Sequence, residues 1–163
     1  MPHRKLLSSV HTIAREAGDA ILEHYGSPVP VEYKGDDSPL THADQASHHL
    51  IREKLRALTP EIPVLSEESE ENVRDNRHDW NEFWLVDPLD GTKEFIKQSG
   101  EVTVNIALIE GKEPTLGVIY VPAQDLTYYA VRSEGAFRQE DTNDPESIQT
   151  RPADERHLAV VAS

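Results

Sequence analysis

Apolar residues recur at helical spacing near the start of the chain: Leu6, Val10, Ile13, Ala14, Ala17, Ile21 and Leu22. Positions three, four and seven apart share one helix face, so the spacing predicts an amphipathic helix over roughly residues 4–25. Gly26-Ser27-Pro28 supplies a stop. A polar loop is expected next, with Lys34-Gly35-Asp36-Asp37-Ser38-Pro39 as its turn-rich centre. A second helix is predicted from about Thr41 to Leu58, with Thr41 as N-cap. Its apolar stripe is Ala46, Leu50, Ile51, Leu55 and Leu58, and Thr59-Pro60 ends it.

Beyond this point the period changes to that of strands. Pro63-Val64-Leu65-Ser66 reads as a short strand, followed by the acidic segment Glu67–Asp75, which no core can bury. Phe83-Trp84-Leu85-Val86 is a second apolar strand, running directly into Asp87-Pro88-Leu89-Asp90-Gly91-Thr92. Val102–Ile109, Leu116–Val121, Leu126–Val131 and Ala136–Arg138 follow, with turns at Glu110-Gly111 and Glu134-Gly135, and predict an antiparallel meander. Gln139–Glu155 is polar and reads mainly as loop. Leu158–Val161 reads as a last strand.

Composition narrows the chemistry. Sixteen Lys and Arg against thirty Asp and Glu give a net charge of -14 over 163 residues. Counterion release on a phosphate backbone needs clustered cations, so nucleic acid is not an expected partner. With no cysteine, disulfides, zinc-thiolate sites and thiol catalysis are excluded. No apolar run approaches the ~20 residues of a membrane span. The N-terminus is not patterned as a signal peptide, and a cytoplasmic protein is expected.

Several of the acids fall where chemistry is done. The apolar strand ending at Val86 delivers Asp87, and Asp90 follows three residues later. Pro88 is expected to set a tight turn that points both carboxylates at one spot, with the Leu89 carbonyl between them. Hard oxygen donors without sulfur favour Mg²⁺ or Mn²⁺. Gly91 and Thr92 open a predicted short helix, Thr92–Lys97, whose first N–H groups suit a phosphate. The plain alternative is a surface turn, since these residue types dominate turns. Glu67 also follows an apolar strand, and parallel pairing of the two strands places it beside Asp87; Glu70 and Glu71 read as solvated charge. Asp44 reads, taken alone, as a first-turn acid facing the helix dipole. The eight histidines show no His-Glu-x-x-His pattern, and surface positions are expected for them.

Ser38-Pro39-Leu40-Thr41 with Asp44, Leu65-Ser66-Glu67-Glu68, and Trp84 to Thr92 together resemble the inositol monophosphatase superfamily, Mg²⁺-dependent and lithium-sensitive phosphatases. The continuation Lys93-Glu94-Phe95-Ile96, with Val102–Ile109 and Gly117–Pro122, resembles its bacterial bisphosphate nucleotidase branch. The resemblance implies a layered αβαβα fold of the sugar-phosphatase type. This chain then supplies the helix pair, a mainly antiparallel sheet and the start of the next layer.

It implies roles as well. Glu67, Asp87 and the Leu89 carbonyl hold a first Mg²⁺, Asp87 and Asp90 share a second, and Glu67 reaches a third, looser ion through water. Glu67 and Thr92, with Asp44 behind them, orient and deprotonate water, while Leu89, Asp90, Gly91 and Thr92 contact the scissile phosphate. The implied reaction is hydrolysis of adenosine 3′,5′-bisphosphate to AMP and phosphate, clearing a by-product of sulfate assimilation. Lys93 reads equally as an attractor of the second phosphate and as a surface lysine. A homodimer, and at most peripheral contact with the inner membrane, complete the implied partners.

Family members also carry a second half with a Trp-Asp-x-Ala-type motif that provides another metal-binding aspartate. Neither Trp80 nor Trp84 lies in such a motif. Residues 1–155 are therefore expected to form the metal- and phosphate-binding domain, and 156–163 the first strand of an absent C-terminal domain. Two other readings stand beside the nucleotidase: a catalytically incomplete fragment that keeps metal affinity, and an inositol-monophosphatase-type phosphatase. Aspartyl phosphatases of the haloacid dehalogenase type are set aside, because one residue separates their two aspartates and two separate Asp87 from Asp90.

Overall fold

The computed structural model describes residues 3–26, 31–33, 39–69, 73 and 76–152. The first apolar stripe forms helix α1 (His3–Leu22), burying Leu6, Val10, Ile13, Ala14, Ala17, Gly18 and Ile21. The helix ends three residues before the predicted limit. Its last amides, of His24 and Tyr25, bond three residues back and tighten the chain into turns.

Helix α2 (His42–Leu58) begins at Thr41 as expected, and Thr41 and Asp44 form a capping box. Its buried face is Ala43, Asp44, Ser47, His48, Ile51 and Leu55. Ala46, Leu50 and Leu58 are only partly buried, so the stripe is rotated from the predicted one. The physical reason is that three polar side chains on this face carry hydrogen bonds to neighbouring segments. The polar loop before α2 contains two short strands not expected from sequence, β1 (Val31–Tyr33) and β2 (Pro39–Thr41), paired antiparallel. Pairs of three-residue strands are held by main-chain bonds and leave no readable period.

The remaining strands form one seven-stranded sheet in chain order: β3 (Val64–Ser66), β4 (Glu82–Asp90), β5 (Thr103–Glu110), β6 (Glu113–Val121), β7 (Leu126–Val131), β8 (Gly135–Glu140) and β9 (Glu146–Ile148). Only β3 and β4 run parallel; the rest is the expected meander. Strand β9 and the last residues of β8 lie where a loop is predicted. Glu146-Ser147-Ile148 is an exposed edge strand, bonded through its backbone to β8 and without apolar alternation. Helix α3 (Thr92–Lys97) joins β4 to β5 as predicted. The expected strand at Leu158–Val161, and with it the proposed boundary near 155, lies outside the described residues.

Helices α1 and α2 cover one face of the sheet. Trp84, Val86, Val104, Ile106, Leu108, Leu116, Val118 and Tyr120 point into that layer and are buried. Trp84 is fully enclosed, and its indole Nε1 donates to Thr59 Oγ1 at 2.8 Å, so the ring is buried without an unpaired N–H. The opposite face is open: Leu85 is 44% exposed and Ile119 45%. It holds a groove of about 610 Å³ whose lining includes Leu85, Ile119, Asn105, Glu67 and Asp87. Among the described residues no helix is long and apolar enough to cross a membrane.

Candidate active site

Side chains three residues apart on a regular strand face opposite sides of the sheet. Asp87 and Asp90 are three apart, yet they share a side. In β4 Asp87 pairs with Asn105 and Asp90 with Thr103, so three steps on β4 match two on β5. The extra residue is a β-bulge, and it restores the common side. Pro88, which has no N–H for a ladder, sits inside it. The predicted tight turn is thus a bulge within the strand, with the same outcome for the two carboxylates.

Parallel pairing of Ser66 with Val86 brings the next residues, Glu67 and Asp87, together, and the Glu67 amide donates to the Val86 carbonyl at 2.9 Å. Burial pushes the Asp87 carboxyl up to about 7, helped by the charges of Glu67 and Asp90; the Leu89 N–H pulls the other way. Asp87 Oδ1 is buried with no hydrogen-bond partner among the described residues.

The next turn is shaped by Gly91. Its φ is +94°, and a Cβ there would lie 2.8 Å from the Glu101 carbonyl oxygen, so both backbone and space require glycine. It starts α3 and sets Thr92, whose hydroxyl donates to Asp44 Oδ1 at 3.1 Å. Asp44 is more than a dipole acid: its Oδ2 accepts from the Thr41 amide at 2.8 Å and from the Thr41 hydroxyl. The structure therefore brings Glu67 and Asp90 each near Asp87, and links Thr92 to Asp44. Lys93 is exposed one residue further on.

Three residues emerge that sequence reasoning did not assign. Ser47 Oγ donates to the Pro88 carbonyl at 2.6 Å, fixing the bulge to α2. His48 Nδ1 lies 2.8 Å from Ser66 Oγ, one residue before Glu67. This corrects the expectation of surface histidines: His48 is 6% exposed, and His3 and His11 are half-buried against Glu110 and Thr127. Burial, and then the neighbouring charges of His49, Arg52 and Arg56, push His48 down to about 4. Ser47 and His48 were legible only as helix-face positions; nothing local marks their partners, 41 and 18 residues away. The third residue, Asn105, donates from Nδ2 to Asp90 Oδ2 at 3.3 Å.

Among the described residues no group of three or more His, Asp or Glu side chains is close enough together to hold a metal ion by itself. The donor set nonetheless fits a hard divalent cation. Mutually repelling carboxylates and an unpaired buried oxygen on Asp87 are what such an ion neutralises.

The chain is similar to known proteins in sequence and in fold. Residues 3–163 match the model of the inositol monophosphatase family. The chain is 53% identical over 150 residues to the 3′(2′),5′-bisphosphate nucleotidase CysQ of Salmonella typhimurium, covering 91% of this chain and 60% of that protein. The CysQ of Buchnera aphidicola is 42% identical over 162 residues, covering 98% of this chain and 60% of the relative. Among solved structures, CysQ from Bacteroides thetaiotaomicron superposes with a TM-score of 0.72 at 36% identity, over 93% of this chain and 60% of that one. The inositol monophosphatase of Thermotoga maritima gives 0.72 at 27% identity, over 85% and 52%. The chain spans 50–60% of the length of the curated relatives it matches. Its layering of a helix pair on a mostly antiparallel sheet is theirs, and with a family match running from His3 to Ser163 the chain belongs to the inositol monophosphatase family.

Proposed function

We propose that this chain forms the metal- and phosphate-binding part of a Mg²⁺-dependent phosphomonoesterase that hydrolyses adenosine 3′,5′-bisphosphate to AMP and phosphate. The observation that carries the reading is the Glu67–Asp87–Asp90 cluster, assembled by a parallel strand pair and a bulge beside the Thr92–Asp44 bond. The nucleotidase relatives support the bisphosphate as substrate class.

Glu67, Asp87, Asp90 and the Leu89 carbonyl would hold two Mg²⁺, with a third reached from Glu67 through water. Bound there, the ions supply charge to offset the attacking and leaving oxygens of an in-line displacement. The protein's own groups do the rest. The Thr92 hydroxyl donates its hydrogen bond to Asp44, so its lone pairs would be free to accept from a water molecule, and Glu67 would accept that water's proton. The N–H groups of Gly91 and Thr92 would bind a phosphate oxygen, with Leu89 and Asp90 contacting the same phosphate. A net charge of -14 repels a polyanion, so metal rather than lysine meets the phosphate.

A second reading, metal binding without turnover, rests on the greater length of the relatives. One experiment separates the two. The purified chain and Asp90→Asn are assayed with Mg²⁺ for phosphate release from adenosine 3′,5′-bisphosphate, and titrated calorimetrically with Mg²⁺. Release that Asp90→Asn abolishes supports hydrolysis. Binding without release supports the second reading, and absence of both sinks the cluster as a metal site.

A further inference from the structure

Asn105 lies on β5 directly opposite Asp87 and on the open face of the sheet. An ionised carboxylate only accepts hydrogen bonds, so the bond to Asp90 fixes which end of the Asn105 amide is which. Nδ2 must face Asp90, and Oδ1 is turned the other way. That oxygen is buried and has no hydrogen-bond partner among the described residues. Asp87 Oδ1, on the paired residue across the strand, is in the same condition. A buried unpaired oxygen is costly wherever it stands, so two on one cross-strand pair are not casual packing. Both belong to residues lining the same groove as Glu67.

The bulge explains how Asn105, paired across the strands with Asp87, also bonds to Asp90. It returns Asp90 to the position opposite Thr103, two residues from Asn105 on the same face of β5. Without it Asp90 would face the helix layer.

We propose that Asn105 is a positioning residue of the cation site. It holds Asp90 through Nδ2 and presents Oδ1 beside Asp87 as a further oxygen for a divalent cation or the water that the cation carries. This deepens the function proposed above and rests on it. Partners that orient metal-binding carboxylates typically change metal affinity by 10- to 100-fold when removed.

The test uses Mn²⁺ as probe, followed by electron paramagnetic resonance, on the unmodified chain, Asn105→Ala and Asn105→Val. Valine suits a strand and keeps the comparison available should alanine weaken folding. Melting without metal is measured in parallel. Expected is a loss of Mn²⁺ affinity of about tenfold or more in both variants, with the metal-free melting temperature held or raised, because an unpaired buried oxygen has been removed. A merely structural role would lower melting and leave affinity unchanged. Affinity within a few fold of the unmodified chain in either folded variant overturns the inference while leaving the metal site standing. Failure of the unmodified chain to bind Mn²⁺ overturns the reading beneath it as well.

Discussion

A buried imidazole flanked by cations is held neutral, and His48 meets both conditions. Its folded value near 4 lies below the ordinary 6.5, so between these values the unfolded chain binds more protons than the folded one. Its contribution to stability is therefore full above pH 6.5 and is lost as pH falls through 4. Urea unfolding of His48→Gln should show a shallower fall in stability over that window than the parent. An equal slope would mean that other groups govern it. The same side chain also anchors Ser66, immediately before Glu67, so acid loosens the cluster from its α2 side. Lys93 poses a different single-residue question. It is exposed and close in sequence to Thr92, on an otherwise anionic site. If it attracts the second phosphate, Lys93→Ala raises KM for a nucleoside bisphosphate more than for a monophosphate; equal effects on both would assign it to the surface.

At the scale of elements, α1 meets β6 at Gly18. A Cβ at Gly18 would lie 2.5 Å and 2.8 Å from Tyr120 ring carbons and 2.9 Å from the Pro122 side chain. The ring cannot swing aside freely: its hydroxyl donates to Asp125 at 3.0 Å, and Arg15 pairs with Asp125 while lying over the ring. Gly18→Ala gains about 1 kcal/mol of helix propensity and incurs about 1–3 kcal/mol of overpacking. A lower melting temperature is the expected net result, and a higher one would show that helix and sheet separate easily. Gly18 was invisible in the sequence because a small residue inside a helix declares nothing about its neighbour. The α1 stripe, the extent of α2 with Thr41 as its cap, the parallel β3–β4 pair and the meander were legible, since each rests on local period or punctuation; the α2 stripe was legible only in part, because polar partners turn its buried face. Strands β1, β2 and β9 were not, because short pairings live in the backbone. The acids of the site were legible from their places at strand ends. The bulge that aligns two of them was not, for its evidence is a register held by β5. Nor were Ser47, His48 and Asn105, whose partners lie far along the chain.

Across the whole molecule the two faces of the sheet differ. Phe83 to Val86 is continuously apolar, a pattern of strands buried on both sides, yet among the described residues only the helix side is covered. Leu85 and Ile119 remain nearly half exposed. The chain should therefore bind an apolar dye such as anilinonaphthalene sulfonate in its folded state. Leu85→Lys with Ile119→Lys should cut that signal while shifting stability by under about 1 kcal/mol; an unchanged signal would place the dye elsewhere. A substitution scan over the entire chain would mark the acids, Gly91 and the buried core. It would pass over one of the proposed donors, the Leu89 carbonyl. The bulge takes the Pro88 and Leu89 carbonyls off the regular ladder, Ser47 claims the first, and the second is left with a Thr92 contact at 3.5 Å. Any amino acid at 89 carries the same carbonyl, so scanning that position reports only on the size of its buried side chain. This proposed donor depends on the length of the segment between Asp87 and Asp90 rather than on the side chain at 89, so an insertion or deletion there removes it where a substitution at 89 does not.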